Sequence, residues 1–533
     1  MDNRRVILAV TLSLAVLIVW NFLFPPVQAP LPVDNGTAQQ QETVSEPMAP
    51  IQEPVAPAVT AATFTPTKGE QVTVDTPLYR AVFNTAGGVI EHFVLKEYKE
   101  TVDKDSAKID LVAPRALSKA PLGVIWNRVP TWNKGEWGFD GADLNLTGGE
   151  EKTLTFVGRV GGVQLTRTLT FVAGSYEIRE DLKVANTSAA QVRGDLSFTL
   201  SSIGLSAEGD TYNPTRVSYL LPSGLEEEDD LDDLKLGIQS ETPVRWGSIG
   251  SNYFMVGLVP TSGDMTMRAK YEDDVYRLTL GEMVNIDPGM QRELSCSYYL
   301  GPKTESALGL LPKDLKASIN YGFFDIIAKP LITGLKYFYG YVGNYGVAII
   351  LLTILIKILF WPLSHKSYKS MEQMKKLQPM MAQLREKYSD DREKMNAELM
   401  QLYKTYKVNP AGGCLPMLLQ IPVFIALYQA LLGAIELRHA VFIPNVPFTD
   451  LPWLIDLSAK DPYYVTPLIM GATMFLQQKM TPSPGDPMQA KIMLFMPVVF
   501  TFIFLNFPSG LVVYWMVNNI LSIGQQWMMI RKA

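Results

Sequence analysis

Lys357 is the residue of this sequence whose position most suggests a chemical role. It lies in the apolar stretch 349–360, whose other members are aliphatic apart from one threonine and one phenylalanine. A cation inside hydrocarbon costs from about 3 to more than about 10 kcal/mol unless water or a polar partner relieves it. The apolar stretch ends at Leu363, roughly 9 Å further along a helix. Lys357 therefore either extends its amine to the membrane surface or acts as a binding group in a wet pocket.

Polar residues recur at helical spacing in three apolar segments of the chain. These segments carry Thr353, Lys357 and Ser364; Thr473 and Gln477; and Tyr514, Asn518, Ser522 and Gln525. Polar stripes are unsatisfied against lipid, so we expect them to face one another. The predicted hydrophilic groove is lined by Thr353, Lys357, Gln477, Tyr514, Trp515, Asn518, Ser522 and Gln525. The apolar segments after residue 344 contain no acidic residue, so the groove is predicted to be positively charged.

Motifs for catalysis or metal binding are missing from the sequence. Its three histidines fall in different segments, and no HExxH, GxSxG or GxxxxGK motif occurs. Cys296 and Cys414 are too few for a disulfide framework. The acidic run 226–233 could hold Ca²⁺, but it lacks EF-hand spacing, and a solvated loop is the preferred interpretation. We expect no enzyme activity, no metal and no cofactor.

The composition indicates a membrane protein with unevenly distributed charge. Hydrophobic residues make up 47% and charged residues 19% of the 533 positions, and the mean hydropathy is +0.08. That is too apolar for an ordinary soluble chain of this length. Residues 25–344 hold 28 basic and 41 acidic residues, while the remainder holds 19 and 12. The overall charge of −6 is too even for a nucleic-acid-binding protein.

Six apolar segments predict a polytopic α-helical membrane protein with six transmembrane helices. The first, within 1–24, is either an uncleaved anchor or a signal peptide, and its length favours the anchor. The other five are 345–363, 415–435, 463–478, 492–506 and 511–530. The fourth and fifth spans are short, which predicts a locally thin bilayer.

Basic residues predict the orientation of these spans. They concentrate before the first span, in 364–413, around 479–491 and at the C-terminus, whereas the loop 438–462 has more acidic than basic residues. By the positive-inside rule, both termini are cytoplasmic and 438–462 is periplasmic.

The segments between the first two spans predict three different structures. Residues 25–61 are rich in proline and are expected to form a flexible tether. Residues 62–318 alternate apolar and polar positions between turns, which predicts a large extracytoplasmic all-β sandwich. Residues 319–341 are predicted to form an interfacial amphipathic helix, and a helix packed against the β-domain is the alternative.

The segment 364–413 has two runs of apolar residues at helical spacing. They predict an antiparallel helical hairpin in the cytoplasm. Its seam consists of Met374, Leu377, Met381, Leu384, Met395, Leu399 and Leu402. The methionines either form an adaptable surface for partners or only fill the narrow core of the hairpin.

Several short motifs closely resemble those of the YidC membrane-protein insertases in their six-span form. They are Asn409-Pro410-Ala411-Gly412-Gly413-Cys414-Leu415-Pro416, Gln420-Ile421-Pro422-Val423-Phe424, Asp461-Pro462-Tyr463-Tyr464, Met474-Phe475-Leu476-Gln477-Gln478-Lys479-Met480, Asp486-Pro487-Met488-Gln489 and Phe507-Pro508-Ser509-Gly510-Leu511. The resemblance implies an inner-membrane location, a five-helix insertase core and a groove open to cytoplasm and lipid. By that resemblance, Lys357 occupies the place of the family's positively charged groove residue, which is arginine in other members.

The resemblance also implies contact surfaces and partners. Spans three and five would form a hydrophobic slide that includes Met417, Ile421, Phe424, Met496 and Phe500. The cytoplasmic hairpin would be needed for activity, and the β-domain is similar to sugar-mutarotase-like sandwiches without supplying a catalytic pair. Implied partners are nascent membrane proteins, the ribosome, the Sec translocon, signal-recognition targeting components and lipids. No direct nucleic-acid binding is expected beyond a contact with ribosomal RNA.

The resulting hypothesis is a membrane protein insertase and chaperone that works alone or with the Sec translocon, without nucleotide hydrolysis. A transporter with an extracytoplasmic ligand-binding β-domain is the alternative, although we see no internal repeat of the kind that transporters show. A structural scaffold is a third interpretation, and it predicts no effect of substitutions in the groove.

Overall fold

The computed structural model describes residues 63–532, except for residues 113, 120, 207–211, 310, 312–313, 389–390, 407, 409–414 and 482–486. The predicted anchor, 1–24, and tether, 25–61, lie outside the described residues. The described residues form a β-domain followed by a helical region.

The strands form where apolar and polar side chains alternate. In chain order they are β1 (Gln71–Asp75), β2 (Tyr79–Asn84), β3 (Val89–Lys99), β4 (Lys108–Asp110), β5 (Gly123–Trp126), β6 (Val129–Pro130), β7 (Glu136–Phe139), β8 (Leu144–Asn145), β9 (Glu151–Val160), β10 (Val163–Val172), β11 (Glu177–Asn186), β12 (Val192–Ser202), β13 (Arg216–Leu221), β14 (Gly224–Glu228), β15 (Ile238–Gln239), β16 (Trp246–Gly250), β17 (Phe254–Pro260), β18 (Thr266–Glu272), β19 (Val275–Ile286), β20 (Gln291–Pro302), β21 (Ile443–Asn445) and β22 (Pro452–Leu454). In β11, for example, Ile178, Leu182 and Val184 are buried.

Three sheets enclose one hydrophobic core. Their strand orders are β4-β3-β2-β1-β8, β14-β13-β16-β17-β20-β11-β10-β9-β7 and β15-β18-β19-β12-β5-β6. Within these sheets, β1 and β8 run parallel and the other described pairs are antiparallel. Phe83, Phe171 and Phe198 represent one sheet each, and all three are fully buried in the shared core. The rings of Phe83 and Phe171 lie 5.5 Å apart in an edge-to-face contact, which links two sheets.

Ten described helices complete the chain. They are α1 (Thr131–Lys134), α2 (Leu231–Leu236), α3 (Glu305–Leu308), α4 (Asp325–Val342), α5 (Tyr345–Lys387), α6 (Arg392–Thr405), α7 (Leu415–Gly433), α8 (Val465–Met480), α9 (Pro487–Phe504) and α10 (Ser509–Lys532). Helices α4, α5, α7 and α10 share a second hydrophobic core, in which Ala348, Ala426 and Ala430 are fully buried. Such small residues let helix backbones approach closely.

The predicted amphipathic segment 319–341 includes most of the helix α4, which begins at Asp325. It runs unbroken through Pro330 and Gly334. Its buried residues Ala328, Ile332 and Leu335 join the core shared with α5 and α7. Packing on these helices holds it continuous, and it rests on the helical region rather than on the β-domain.

The second predicted span continues into the predicted hairpin without a break. The helix α5 has 43 residues and contains Pro362 and Pro379, so it does not end at residue 363. Each proline removes one backbone donor, but the surrounding residues favour helix strongly enough for it to continue. The fifth predicted span, 492–506, also differs, because α9 begins at Pro487 and has 18 residues. At about 27 Å, that helix is longer than expected.

One described helix is, by its length and composition, apolar enough to cross a membrane: Tyr345–Lys387. Two shorter apolar helices are Gln420–Gly433 and Lys491–Phe504. The six-span arrangement therefore remains a prediction.

Polar contacts connect the β-domain to the helical region. Arg438 donates a hydrogen bond from Nη2 to the carbonyl oxygen of Glu100 at 2.9 Å, and its guanidinium lies 5.5 Å from the ring centroid of Phe254. Within the helical region, Lys336 of α4 pairs with Glu436 at 2.7 Å. The segment that follows α7 therefore contacts both the β-domain and α4.

Candidate functional site

Lys357 contacts a residue that is distant in sequence. Its Nζ donates a hydrogen bond to Ser522 Oγ of α10 at 2.7 Å, and Ser522 Oγ donates to the carbonyl oxygen of Asn518 at 2.7 Å. Among the described residues, no carboxylate lies within ion-pair distance of Lys357. The half-buried amine is thus held between α5 and α10 by a neutral hydroxyl, which does not cancel its charge.

The helix α10 presents a buried polar stripe around this contact. Asn519, Ser522, Gln525 and Gln526 are each less than 5% exposed. In the part of the chain that the structure describes, Asn519 Nδ2, Gln525 Nε2 and Gln526 Oε1 have no hydrogen-bond partner. A buried polar atom without a partner costs about 1–3 kcal/mol, so this stripe favours contact with water or with a polar ligand.

The helix α7 supplies a further polar residue that the sequence-based prediction missed. Gln420 Nε2 donates a hydrogen bond to Asn518 Oδ1 at 3.2 Å, which joins α7 to α10. Gln420, Asn519 and Gln526 are all polar residues within predicted spans. That placement was a signal strong enough to include them in the predicted groove.

Three other predicted groove residues have surroundings of a different kind. Thr353 is fully buried and satisfied by its own helix, because its Oγ1 donates to the carbonyl oxygen of Ile349 at 2.7 Å. Tyr514 is also buried, and its ring stacks at 6.3 Å on that of Phe424. Gln477 is half-buried on α8. The structure therefore brings Lys357, Asn518 and Ser522 together directly, with Gln525 one turn further along α10.

The residues predicted to form the slide divide into two groups. Phe424 of α7 and Phe500 of α9 are half-buried and converge on Trp515, with ring centroids 4.5 and 6.0 Å from it. Ile421 and Met496 are 43% and 40% exposed on the outer surface. The side chain of Met417 lies outside those that the structure describes. Trp515 of α10 therefore belongs to an aromatic contact with α7 and α9 and not to the polar stripe.

The two helices of the predicted hairpin contact each other along their apolar faces. Leu377, Met381 and Leu399 are buried together with Val408. The other predicted seam residues, Met374, Leu384, Met395 and Leu402, are partly buried against this cluster. Tyr403 was not predicted, but its hydroxyl donates to Met381 Sδ at 3.7 Å.

The site has no features of a metal centre. Among the described residues, no group of three His, Cys, Asp or Glu side chains could hold a metal ion. What the arrangement offers is a positive charge, unsatisfied amides and adjacent apolar surface. These features suit transient contact with a chain that carries both polar and apolar segments.

Comparison with known proteins identifies the family. The family model of the 60Kd inner membrane protein matches residues 337–533, and that of the YidC periplasmic domain matches residues 71–333. The chain is 56% identical over 537 residues to membrane protein insertase YidC of Maridesulfovibrio salexigens and 53% identical over 539 residues to that of Oleidesulfovibrio alaskensis; each alignment covers all of both chains. A crystal structure of an active YidC insertase with its first transmembrane domain resolved is 18% identical, covers 86% of this chain and 93% of that chain, and has a TM-score of 0.37.

The resemblance noted in the sequence motifs is therefore confirmed over the full chain. The full-length relatives are named as insertases, which favours insertion over the transporter alternative and confirms a function other than enzymatic catalysis. The three sheets of the β-domain lie within the region that matches the periplasmic domain, and the helices α5–α10, with the short β21–β22 pair, lie within the region that matches the inner membrane protein. The chain belongs to the YidC family of membrane protein insertases.

Proposed function

We propose that this insertase passes polar flanks of nascent membrane proteins through a hydrophilic groove around Lys357 that is open to cytoplasm and lipid. The observation that carries the proposal is the contact of Lys357 with the neutral Ser522, without a described carboxylate nearby. A cation that lacks a counter-ion attracts an anionic group strongly where the local dielectric constant is low. An acidic flank of a substrate would supply that counter-ion.

The polar stripe of α10 supports the same proposal. Its unpartnered amide groups, on Asn519, Gln525 and Gln526, can hydrogen-bond the hydration water or backbone of a polar segment. Each such bond lowers the free energy of a group that would otherwise enter hydrocarbon unpaired. The groove would therefore reduce the barrier to carrying a polar flank into the membrane, and the predicted thin bilayer beside it would act in the same direction.

The driving force in this proposal is apolar transfer rather than nucleotide hydrolysis. The substrate helix would leave along α7 and α9, where Ile421 and Met496 are exposed and Phe424 and Phe500 lie beside them. Moving each buried CH₂ from water to lipid contributes about 0.8 kcal/mol. A single apolar span therefore provides ample free energy to offset the transfer of a short polar flank.

The proposed topology follows the distribution of basic residues. The spans would be 1–24, 345–363, 415–435, 463–478, 492–506 and 511–530, with both termini in the cytoplasm. The second half of α5, with α6, would form the cytoplasmic hairpin that receives the nascent chain. Ribosome, signal-recognition targeting components, Sec translocon and lipids would be its partners, as the family resemblance implies.

Substitutions at Lys357 test the role of charge. We expect K357A to lower insertion of a single-span substrate with an acidic outer tail by at least about tenfold, since a charge-assisted hydrogen bond contributes about 1.5–3 kcal/mol and about 1.4 kcal/mol is tenfold. K357E should lower it further by repulsion, whereas K357R should retain it. Insertion would be measured by protease protection of the tail after reconstitution of the full chain into vesicles.

Two controls make the experiment specific. K329A removes an exposed lysine from α4, where it pairs with Asp325, and should leave insertion unchanged. A substrate with a neutral tail should respond weakly to every Lys357 variant. Wild-type insertion of the acidic-tail substrate by both K357A and K357E would reject the proposal.

A further inference from the structure

The β-domain has a cavity of about 450 Å³ on the outer face of its six-stranded sheet. The floor consists of alternate residues of β12, β18 and β19, including Ser197 and Thr279. Their neighbours on the same strands, Phe198 and Leu278, point the opposite way and are fully buried in the core. The alternation of the strands therefore places a polar floor outside the hydrophobic core.

Positive charge predominates in this cavity. Five cationic side chains line it: Lys119, Arg128, Arg268, Lys270 and Arg277. Two carboxylates line it as well: Asp195 pairs with Arg268 at 2.9 Å, and Glu272 contacts Lys119 and Lys270. A third, Asp273, pairs with Lys119 at 3.1 Å. The cavity keeps an excess of two positive charges, although the surrounding segment 25–344 has a net charge of −13. A local field of this sign favours an anionic ligand.

The position of Arg277 in this cavity is unfavourable for the stability of the β-domain. Its Nε is buried and, among the described residues, has no hydrogen-bond partner. Burial lowers the pKa of its guanidinium, but arginine stays protonated at neutral pH. Its direct cross-strand neighbour is Lys270, and like charges in that relation destabilise a sheet. An anion in the cavity would offset both costs.

Arg128 adds a guanidinium at an unfavourable backbone position. Asn127 and Arg128 form the two-residue turn between β5 and β6, and their φ angles are +47° and +66°. Glycine is the residue that such a turn favours at its second position, because a side chain is strained in the left-handed region. Strain of this kind concentrates at functional sites, and this arginine lines the cavity.

We propose that this cavity binds the phosphate monoester of a small polar molecule, with Arg277 and Arg128 as phosphate ligands. An excess of two positive charges suits a dianion better than a singly charged carboxylate. The guanidinium fork matches phosphate geometry. The volume lies in the range of small-molecule pockets, about 300–1,000 Å³, so it accommodates an organic group as well as the phosphate. This function is separate from the proposed insertion activity.

Isothermal titration calorimetry on the full chain in neutral detergent tests the proposal. Glucose 6-phosphate serves as the probe, and glucose and inorganic phosphate are titrated for comparison. We expect the sugar phosphate to bind more tightly than inorganic phosphate, glucose to give no binding, and affinity to fall with ionic strength. R277Q and R128Q should each weaken binding about tenfold, or about 1.4 kcal/mol.

A matched variant controls for a general loss of charge. R179Q removes an exposed arginine from the nine-stranded sheet, where it pairs with Glu151, and should bind the sugar phosphate like the wild type. R128Q changes an exposed turn residue, so it keeps the test informative if R277Q fails to fold. No binding of either phosphate, equal affinity for the two phosphates, or unchanged binding by R128Q and a folded R277Q would each overturn the proposal.

Discussion

Replacing only one partner of the buried ion pair between Arg167 and Glu180 is predicted to destabilise the β-domain severely. Arg167 Nε and Nη2 donate to the two carboxylate oxygens of Glu180 at 2.6 and 2.9 Å, and neither side chain is exposed. The hydroxyl of Tyr298 donates to Glu180 Oε2 at 2.8 Å. Arg167 Nη1 donates to the carbonyl oxygens of Gly87 and Gly88. The pair therefore links β10, β11, β20 and the turn after β2.

The expected magnitude follows from this complete burial. R167M would leave the Glu180 carboxylate buried with only the Tyr298 hydroxyl as a partner, which costs about 3–5 kcal/mol. For a domain of this size, 1 kcal/mol corresponds to about 2–4 °C in Tm. We therefore expect the Tm of R167M to fall by roughly 6–20 °C. Replacing all three polar groups, in R167M/E180L/Y298F, should return the Tm close to that of the wild type, since apolar residues can replace a buried pair at little cost.

Thermal unfolding of the full chain in detergent, followed by the circular dichroism of the β-sheets, provides the measurement. The matched control is R179Q in β11, which breaks an exposed pair at 2.6 Å from Glu151. An exposed pair contributes about 1 kcal/mol at most, so the control should lose less than about 4 °C. A Tm for R167M equal to that of the wild type, or a triple variant no more stable than R167M, would refute this reasoning.

Two further predictions concern helix packing and pH. G471A should destabilise the helical region by about 1–3 kcal/mol, because a methyl group there would collide with Thr501 Oγ1. Its control, G524A, has open space around the added methyl group and should be neutral or stabilising by up to about 1 kcal/mol. Unfolding of both variants in detergent would measure the difference, and equal effects would contradict the packing argument. Burial lowers the pKa of Lys303 to about 8, below the value of about 10.4 in the unfolded chain. Between about pH 8 and pH 10 the unfolded chain therefore binds more protons than the folded one, so Lys303 makes the free energy of unfolding rise with pH in this range. Thermal unfolding of K303M across this range should lack that rise, and an unchanged pH profile would contradict it.

In α5 the apolar stretch ends well before the helix does. The apolar stretch ends at Leu363, which led to a predicted boundary there, but α5 continues to Lys387. The membrane responds to side-chain polarity, whereas a helix needs only compatible backbone torsions and local propensity. Composition could therefore predict where the apolar segment ends without predicting where the helix ends.

In the β-domain, the sequence predicts the apolar part of the core but not its buried ion pair. Leu165, Leu169 and Ile178 alternate with polar residues in the sequence, and all three are fully buried. Arg167 and Glu180 also occupy inward positions, but their charge gave no indication of a partner. That the two side chains meet depends on the register of β10 against β11, in which Leu169 lies opposite Glu180.

In the candidate groove, too, the sequence and the tertiary structure determine different features. The sequence by itself determined that a lysine lies in an apolar helix without an acidic residue nearby, because hydropathy and charge are properties of each residue. Only the tertiary structure decided that Ser522, 165 positions away, accepts its hydrogen bond, while Thr353 bonds to its own helix. Periodicity shows which residues share a face, but the rotation and crossing of two packed helices decide which faces meet.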